Sequence, residues 1–360
     1  MGSIAETQMK KEDDGVYLFA MQLAVSSVLP MVMQQTIELK VFEIINKAGE
    51  GAHLSPTQIA SELKTQNPEA PVMLDRMLRL LANHSVLSCS FVTKDDGHVE
   101  RLYGLTPVCK YYIPDADGVS LAPLMIWTND NDNVRCWPRL KDAVLDGGIA
   151  FEKVHGLGLF EYLGKNQKHN DLFNRAMYIH TSVIMKQIVE VYKGFDSLNV
   201  MVDVGGGIGT MSKIIASKYP AIKCINYDLP HVIESGLSHP GIEHVGGDMF
   251  ASIPKADAVF MKCIIHDWDD ERCLAILKNC YNALPENGKV IVVDIVLSTG
   301  AETENGAKGT AEIDVFMMMQ CPGGKERTVK DFEDLAKGAG FGTINVVCSL
   351  SNYWLMEFHK

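Results

Sequence analysis

The pattern of apolar and polar positions changes about one third of the way along the chain. In the first third, apolar residues recur at the spacing of amphipathic helices, and an alternating run follows. This pattern predicts helices over residues 31–48, 56–63 and 71–84, then a hairpin with strands over 86–93 and 101–104. Helix, helix and hairpin in this order are typical of a winged-helix unit.

Beyond residue 200 short apolar runs alternate with helical runs, which predicts a parallel α/β sheet. The predicted strands cover residues 201–204, 221–227, 242–245, 258–262, 290–294 and 353–358, and the predicted helices cover 211–218, 269–282 and 329–338. Further helices are predicted over 121–128, 137–145 and 173–193. We therefore expect a mainly helical, winged-helix-like domain over residues 1–118 and a Rossmann-like α/β domain over residues 119–360.

Composition narrows the class of protein. The 360 residues are 47% hydrophobic and 22% charged with a net charge of −12, which predicts a soluble protein that does not bind nucleic acid. The apolar stretch over residues 16–33 contains Gln22 and Pro30 and is short for a bilayer, so we expect no membrane association. Nine cysteines without a C-x-x-C pair predict reduced thiols rather than disulfides or a zinc site, and hence a cytoplasmic protein.

The most informative stretch is the glycine-dense turn that follows the strand predicted at 201–204. Gly205, Gly207 and Gly209 alternate with other residues before a predicted helix. Glycine lets the backbone approach a ligand, and the first N–H groups of the helix stay available to it. A dinucleotide site has Gly or Ala at the sixth position of this motif, where this chain has Thr210. The glycine spacing therefore disfavours a dinucleotide as the ligand.

Acidic residues stand at the carboxyl ends of three successive predicted strands. They are Asp203, Asp228 and Asp248. Ligands of doubly wound sheets bind in the crevice at these strand ends, and Asp228, about 20 residues after the glycine turn, can accept hydrogen bonds from ribose hydroxyls. The arrangement suits adenosine that carries a cationic sulfonium. A tight structural loop is the alternative interpretation of the glycines.

A candidate general base follows the strand predicted at 258–262. His266 has an ordinary pKa of about 6.5 and is largely neutral in the cytosol, so it can accept a proton from a phenol. Asp294 and Glu326 end later elements, and either can orient the imidazole by accepting its other N–H. In the alternative interpretation His266 only holds a loop, and Glu326 pairs with Arg327 or Lys325.

The helix predicted at 71–84 does not look like a DNA-recognition helix. Arg76 and Arg79 are its only basic residues, and its remaining surface is largely apolar. Together with residues 18–33 this face predicts a homodimer interface, and a core buried within one chain is the alternative.

Several motifs resemble those of plant S-adenosylmethionine-dependent O-methyltransferases of the caffeic acid O-methyltransferase type. They are Val-Asp-Val-Gly-Gly-Gly-Ile-Gly at 202–209, Tyr-Asp-Leu-Pro-His-Val at 227–232, Gly-Gly-Asp-Met-Phe at 246–250, His-Asp-Trp at 266–268 and Pro-Gly-Gly-Lys-Glu-Arg-Thr at 322–328. The likeness runs nearly end to end. It implies a Rossmann-like methyltransferase domain behind an N-terminal winged-helix dimerisation domain that lends residues to the partner's pocket.

The resemblance also implies the cofactor, its contacts and the reaction. S-adenosyl-L-methionine binds and leaves as S-adenosyl-L-homocysteine, and no metal takes part. The implied cofactor contacts are Gly205, Asp228, Leu229, Asp248, Met249 and Lys262. The sulfonium methyl passes in line to a phenolic oxygen that His266 deprotonates. A metal-dependent catechol methyltransferase, which needs carboxylates around magnesium, is the separate possibility.

By position the resemblance also implies a substrate pocket. Its residues are Trp127, Thr128, Asn133, Leu159, Leu163, His169, Phe173, Met177, His180, Ile313, Phe316, Met317 and Cys321. Several of these depart from the caffeic-type pattern, and Asp294 replaces a glutamate. Methionine and aromatic side chains clamp a flat ring, so we expect a planar phenol. The expected acceptor classes are phenylpropanoids, lignans, benzylisoquinoline alkaloids and flavonoids. The sequence does not determine which hydroxyl group is methylated.

One interpretation from another class of protein competes with this enzyme. The chain can also be a non-catalytic winged-helix sensor of a metabolite, or a silent subunit of a heterodimer. The presence of His266 and Glu326 argues against both.

Overall fold

The computed structural model describes residues 14–360 of the chain. These residues fold into two compact units, with the division after Asn129. The sequence pattern predicted a boundary after residue 118 instead. The difference arises because Ala122, Met125 and Ile126 of the helix after that point pack against the core of the first unit.

The first unit is mainly helical, with one small antiparallel sheet. Its helices are α1 (Asp14–Ala24), α2 (Val28–Glu38), α3 (Val41–Lys47), α4 (Pro56–Glu62), α5 (Ala70–Asn83) and α6 (Ala122–Thr128). Its strands are β1 (His53–Leu54), β2 (Leu87–Thr93) and β3 (Val99–Leu105), in the order β1-β3-β2. The helix predicted over 31–48 is broken because Lys40 takes a left-handed conformation, with φ 56°.

Local sequence accounts for the helices of this unit. Ser55 caps α4, because its hydroxyl accepts from the Gln58 N–H while the Gln58 side chain accepts from the Ser55 N–H. Pro56 then occupies the first turn, where a missing N–H costs nothing. The fully buried Leu78 of α5 packs into the core, and Asp75 of the same helix accepts a hydrogen bond from Arg101 at 2.6 Å.

An apolar surface remains at the start of the first unit. Large apolar side chains of α1 are exposed, among them Tyr17, Leu18 and Phe19. Between residues 14 and 360 no single helix is long and apolar enough to cross a membrane. The pair α1 and α2 reaches that length and composition only together, across a bend of 51°.

The second unit is an α/β domain around a seven-stranded sheet. Its strands are β4 (Val200–Val204), β5 (Lys223–Asp228), β6 (Ile242–Gly246), β7 (Ala258–Lys262), β8 (Lys289–Ile295), β9 (Thr343–Leu350) and β10 (Tyr353–His359), in the order β6-β5-β4-β7-β8-β10-β9. Its helices are α7 (Asn131–Val134), α8 (Leu140–Asp146), α9 (Ala150–His155), α10 (Leu159–Lys165), α11 (Gln167–Val191), α12 (Thr210–Lys218), α13 (Pro230–Ile233), α14 (Asp270–Ala283), α15 (Asn305–Gln320) and α16 (Val329–Ala339).

The predicted α/β sheet is confirmed, with one correction at its edge. Strands β4 to β8 pair in parallel, but β10 runs antiparallel to both β8 and β9. The sequence pattern did not predict β9, and it predicted that the last strand continues a parallel sheet. Only Ser351 and Asn352 separate β9 from β10, and so short a connection permits only an antiparallel hairpin.

The topology places a crevice at the carboxyl end of β4. The chain moves outward from β4 to β5 and β6 on one side, and to β7 and β8 on the other. Loops that follow the parallel strands therefore diverge above β4, and ligands of such sheets bind at this switch point. Buried clusters of apolar side chains pack on the sheet and fix the strands that carry these loops.

Candidate active site

The glycine turn after β4 needs glycine for two physical reasons. Gly205, Gly207 and Gly209 all take positive φ angles, of 67°, 58° and 87°. A Cβ at Gly205 would also lie only 2.3 Å from the Ile264 side chain, whereas one at Gly207 would meet open space. The turn therefore keeps its shape through conformation at all three positions and through close packing at Gly205.

One carboxylate holds the glycine turn, and a second one anchors the helix that follows it. Asp228 accepts the Gly207 N–H at 2.8 Å and the Leu229 N–H at 2.7 Å. Asp203 is buried at the end of β4 and accepts from the Ser212 hydroxyl at 3.0 Å. Burial raises the pKa of Asp203 to about 7, and it also raises the pKa of Asp228. The crevice thus contains acidic groups that a bound cation would stabilise in their charged form.

A cavity of about 400 Å³ opens at this crevice. All six cofactor contacts expected from the sequence line it: Gly205, Asp228, Leu229, Asp248, Met249 and Lys262. An aromatic wall of the cavity was not predicted. The Trp268 ring lies edge-on to Phe250 at 4.9 Å and stacked on Phe160 at 5.7 Å, between ring centroids. Trp268 and Phe250 both lie within the motifs that carry the family resemblance, so their presence there was the available signal.

His266 lies on a short turn just after β7 and contacts carboxylates on both sides. Its Nδ1 is 2.8 Å from Glu326 Oε1 and 4.0 Å from Asp294 Oδ1. Its Nε2 is 3.7 Å from Asp267 Oδ1. Only the contact with Glu326 is within hydrogen-bond reach. Glu326 can therefore accept the Nδ1 proton, which leaves the Nε2 lone pair for a substrate.

The surrounding charges set the proton affinity of this imidazole. Burial by itself lowers the pKa of His266, but the carboxylates of Glu326, Asp267 and Asp294 outweigh burial and raise it well above its usual value. Burial raises the pKa of Asp267 to about 6 and also raises the pKa of Asp294. The site therefore stabilises the imidazolium that forms when His266 takes a proton.

The loop that carries Glu326 also forms hydrogen bonds with the turn that carries His266. Arg327 donates to the Ile265 carbonyl at 2.6 Å and to the Trp268 carbonyl at 2.8 Å. The Lys325 N–H donates to the His266 carbonyl at 2.9 Å. The side chains of Lys325 and Arg327 both pair with Asp270 rather than with Glu326. The geometry therefore contradicts the alternative in which Glu326 forms an ion pair with Lys325 or Arg327.

A second imidazole lies beside Lys262. The Lys262 ammonium is 3.2 Å from His180 Nδ1, and His180 Nε2 contacts the Tyr353 hydroxyl. Since an ammonium can only donate, Nδ1 is the acceptor and Nε2 carries the ring proton. Burial, with help from the charge of Lys262, lowers the pKa of His180 well below its usual value. Tyr353 was not singled out from the sequence, because it lies 91 positions from Lys262.

The expected substrate residues fall into several places. Leu163, Phe173 and Met177 line the cavity. The Cys321 thiol lies 3.7 Å from Asp267, one residue from the candidate base. Asn133 accepts from Gln320 at 2.6 Å.

The other expected substrate residues are placed as follows. Leu159, His169 and Met317 are buried, Ile313 packs against the core, and the Phe316 ring lies 5.9 Å from that of Trp137. Trp127 and Thr128 belong to α6 of the first unit, where Trp127 is buried and the Thr128 hydroxyl donates to Leu124 of its own helix.

Comparisons with known proteins agree with this geometry. An O-methyltransferase domain model matches residues 137–342, and an O-methyltransferase dimerisation domain model matches residues 21–115. Over the full length of both chains, the sequence is 56% identical to caffeic acid 3-O-methyltransferase 1 of Populus tremuloides. It is equally similar to caffeic acid 3-O-methyltransferase of Medicago sativa, again at 56% over the whole of both chains.

Solved structures extend the likeness of the fold. The crystal structure of human N-acetylserotonin methyltransferase in complex with SAM superposes with a TM-score of 0.80 at 21% identity. The match covers 96% of this chain and 97% of the human one. The helical first unit and the α/β second unit are thus found together in another protein.

Proposed function

The chain belongs to the O-methyltransferase family that carries an N-terminal dimerisation domain and uses S-adenosylmethionine, and from this premise we propose that it methylates a phenolic hydroxyl of a planar plant secondary metabolite. The observation that carries the proposal is the 2.8 Å contact between His266 and Glu326 beside the cavity of the second unit. The full-length caffeic acid 3-O-methyltransferases to which the chain is 56% identical act on a phenol, which supports the acceptor class.

The cavity suits the methyl donor in charge and shape. Asp228 and Asp248 offer carboxylates along its wall, and Gly205 and Gly207 line it with backbone that carries no Cβ. Trp268 and Phe250 offer flat apolar surface to a purine ring. S-adenosylmethionine supplies the methyl group as a sulfonium, and it leaves as the neutral thioether S-adenosylhomocysteine.

His266 acts as the general base in this proposal. Its Nε2 accepts the phenol proton, while its Nδ1–H donates a hydrogen bond to Glu326. A bond then forms between the phenolate oxygen and the methyl carbon as the bond from sulfur to that carbon breaks. Base assistance is worth roughly 10²- to 10⁴-fold in rate, and alignment of the two reactants contributes more, about 7–11 kcal/mol. Asp294, at 4.0 Å, contributes charge without a hydrogen bond.

The substrate is held by the apolar end of the cavity. Phe173, Met177 and Leu163 present one aromatic and two flexible apolar side chains there. These side chains clamp a flat ring by dispersion and by sulfur–aromatic contact. Phenylpropanoids, lignans, benzylisoquinoline alkaloids and flavonoids all contain such a ring and are the proposed acceptor classes.

We further propose a metal-independent, cytoplasmic homodimer. The exposed apolar side chains of α1 and the matched dimerisation domain support self-association. All nine cysteines are free thiols, which suits a reducing compartment. An undiminished methylation rate in EDTA is expected, and a rate that falls in EDTA and returns with magnesium would favour the metal-dependent class instead.

The test is a radiolabelled methyl-transfer assay with the purified full-length chain and a panel of phenols from the four classes. Transfer to at least one phenol, with no transfer to its O-methylated counterpart, is the expected result. The His266→Ala variant serves as the matched control. Binding of S-adenosylhomocysteine by calorimetry without transfer to any member of the panel would leave the cofactor site in place and reject the acceptor class.

A further inference from the structure

A thiol, an imidazole and a carboxylate come together beside the turn that carries the general base. Cys263 follows β7, His266 lies on the next turn, and Asp294 lies near the end of β8. One potential ligand atom of each residue lies within 4.8 Å of those of the other two. Cys263, His266 and Asp294 are called the thiol cluster below.

Asp294 gives this cluster its unusual character. Its side chain is 1% exposed, and within residues 14–360 neither of its carboxylate oxygens has a hydrogen-bond partner. Its contact with His266 Nδ1, at 4.0 Å, is too long for a hydrogen bond. Buried carboxylates in proteins are normally paired with a charge or coordinate a metal, because an isolated one is costly to bury. The Asp294 carboxylate thus has the charge of His266 at 4.0 Å but no hydrogen bond, and its oxygens are potential ligands for a cation.

The backbone at Cys263 also points to a functional site. Cys263 has a φ of 53°, in the left-handed region that costs a side-chain-bearing residue about 1–2 kcal/mol. Strain of this kind is concentrated at functional sites. The Cys263 sulfur accepts a hydrogen bond from the Lys262 ammonium at 3.3 Å, and this contact has to open when a metal binds the sulfur. A bound metal deprotonates a coordinating thiol, and a thiolate and a carboxylate together balance the two charges of a divalent cation.

We propose that the thiol cluster binds a thiophilic divalent cation of the zinc type, and that the bound metal blocks methyl transfer. Zinc takes sulfur, nitrogen and oxygen ligands together, in a tetrahedral arrangement. Zinc–ligand bonds of about 2.0–2.3 Å place neighbouring ligand atoms roughly 3.3–3.8 Å apart. The ligand atoms of the thiol cluster lie within 4.8 Å of one another, so each pair has to approach by at most roughly 1.5 Å. Magnesium prefers oxygen ligands and keeps its waters, so it is disfavoured here.

Metal binding changes the protonation of Cys263 and His266. The Cys263 thiol loses its proton to solvent when the sulfur–metal bond forms. His266 coordinates as the neutral imidazole, so the second ring proton of an imidazolium also leaves to solvent. The neutral ring has one N–H and one lone pair, and the metal takes the lone pair. Whichever ring nitrogen of His266 is coordinated, no lone pair remains to accept the phenol proton. The blocking step rests on the proposed role of His266 as base, whereas the binding step does not.

The first experiment measures binding directly on the full-length chain after chelator treatment. Calorimetric titration with zinc chloride is expected to show one site per chain. Cys263→Ser and Asp294→Asn are each expected to weaken binding about tenfold or more, since even substitutions outside the ligand set cost metal sites 10- to 100-fold. The matched controls Cys89→Ser, in the first unit, and Asp142→Asn, on α8, are expected to bind zinc as the parent chain does.

A spectroscopic signature separates a ligand from a merely structural residue. Cobalt(II) bound to the parent chain is expected to show a thiolate-to-metal charge-transfer band that Cys263→Ser lacks and Cys89→Ser keeps. Thermal unfolding by circular dichroism verifies that each variant is folded. Absence of binding by the parent chain, or equal zinc affinity in the parent, Cys263→Ser and Asp294→Asn, would overturn the site.

The second experiment measures the consequence. Zinc, but not magnesium, is expected to inhibit methyl transfer by the parent chain, and EDTA is expected to restore it. The ratio of the rates with and without zinc is compared within each variant, so a change in basal rate does not enter. Zinc binding without inhibition would reject the blocking step. If no phenol is methylated under any condition, the proposed function fails while the calorimetric result for the site still stands.

Discussion

The two carboxylates around His266 differ in a way that predicts unequal roles. Glu326 Oε1 lies 2.8 Å from the imidazole Nδ1, whereas Asp294 Oδ1 lies 4.0 Å away. Both side chains are essentially buried, at 0% and 1% exposed, so solvent screens neither. We predict that Glu326→Ala lowers kcat more than Asp294→Ala does.

The magnitude follows from the hydrogen bond that only Glu326 makes. A hydrogen bond to a charged group contributes about 1.5–3 kcal/mol, and each 1.4 kcal/mol corresponds to a factor of ten. Loss of Glu326 is therefore expected to lower kcat by roughly 10- to 150-fold. Asp294 makes no hydrogen bond with described residues, and burial raises its pKa, so part of its population is uncharged near neutral pH. Its loss is expected to cost less than about tenfold.

The assay is steady-state methyl transfer to the best phenol of the panel at saturating S-adenosylmethionine. Glu326→Gln is measured alongside, because an amide oxygen still accepts from the imidazole but carries no charge. Its kcat is expected to fall between those of the parent chain and Glu326→Ala. Calorimetric binding of S-adenosylhomocysteine serves as the control for folding, since neither carboxylate lines the cofactor cavity.

The reverse ranking would refute this reasoning. If Asp294→Ala reduced kcat more than Glu326→Ala while both variants bound S-adenosylhomocysteine normally, Asp294 would have to move onto His266 during the reaction. The 2.8 Å contact of Glu326 would then belong to the resting enzyme alone.

Three further predictions concern the base, its titration and the glycine turn. His266→Ala is expected to lower kcat about 10²- to 10⁴-fold with almost unchanged affinity for the cofactor by calorimetry, and near-normal turnover would discard its role as base. Because carboxylates raise the pKa of His266, kcat/KM is expected to rise with pH through an apparent pKa above about 6.5. Glu326→Gln is expected to lower this apparent pKa, because it removes a negative charge beside the imidazole. An unchanged apparent pKa in the variant would show that another group titrates. Gly205→Ala is expected to weaken S-adenosylhomocysteine binding more than Gly207→Ala, because its Cβ meets Ile264 at 2.3 Å while the other meets open space; equal affinities of the two variants by calorimetry would argue against close packing.

Local patterns predicted most of the elements correctly. The run from β4 through the glycine turn to α12 was predicted because a short apolar strand, turn glycines and a helix each have their own local signal. The capped start of α4 was predicted for the same reason, since a serine followed by proline acts within a few residues. The α/β class and the O-methyltransferase family are confirmed.

Strand β9 was missed although its sequence carries a strand signal. Ile344, Val346, Cys348 and Leu350 stand at every second position, as in a β-strand. At the sheet edge all side chains of β9 are partly or fully exposed, so the signal is weaker than that of the buried central strands. Its antiparallel direction depends on the short connection to β10, which had no meaning until β9 itself was recognised.

The sequence by itself determined which chemical groups this protein has and which strand ends carry them, because helix, strand and turn signals act over a few neighbouring residues. Only the tertiary structure decided how those groups pair. In the structure Glu326, rather than Asp294, lies within hydrogen-bond distance of the imidazole. Arg327 forms an ion pair with Asp270, and Cys263 lies close to Asp294. These contacts join residues 31 to 60 positions apart, and a difference of 1.2 Å between two carboxylates depends on packing that no local pattern encodes.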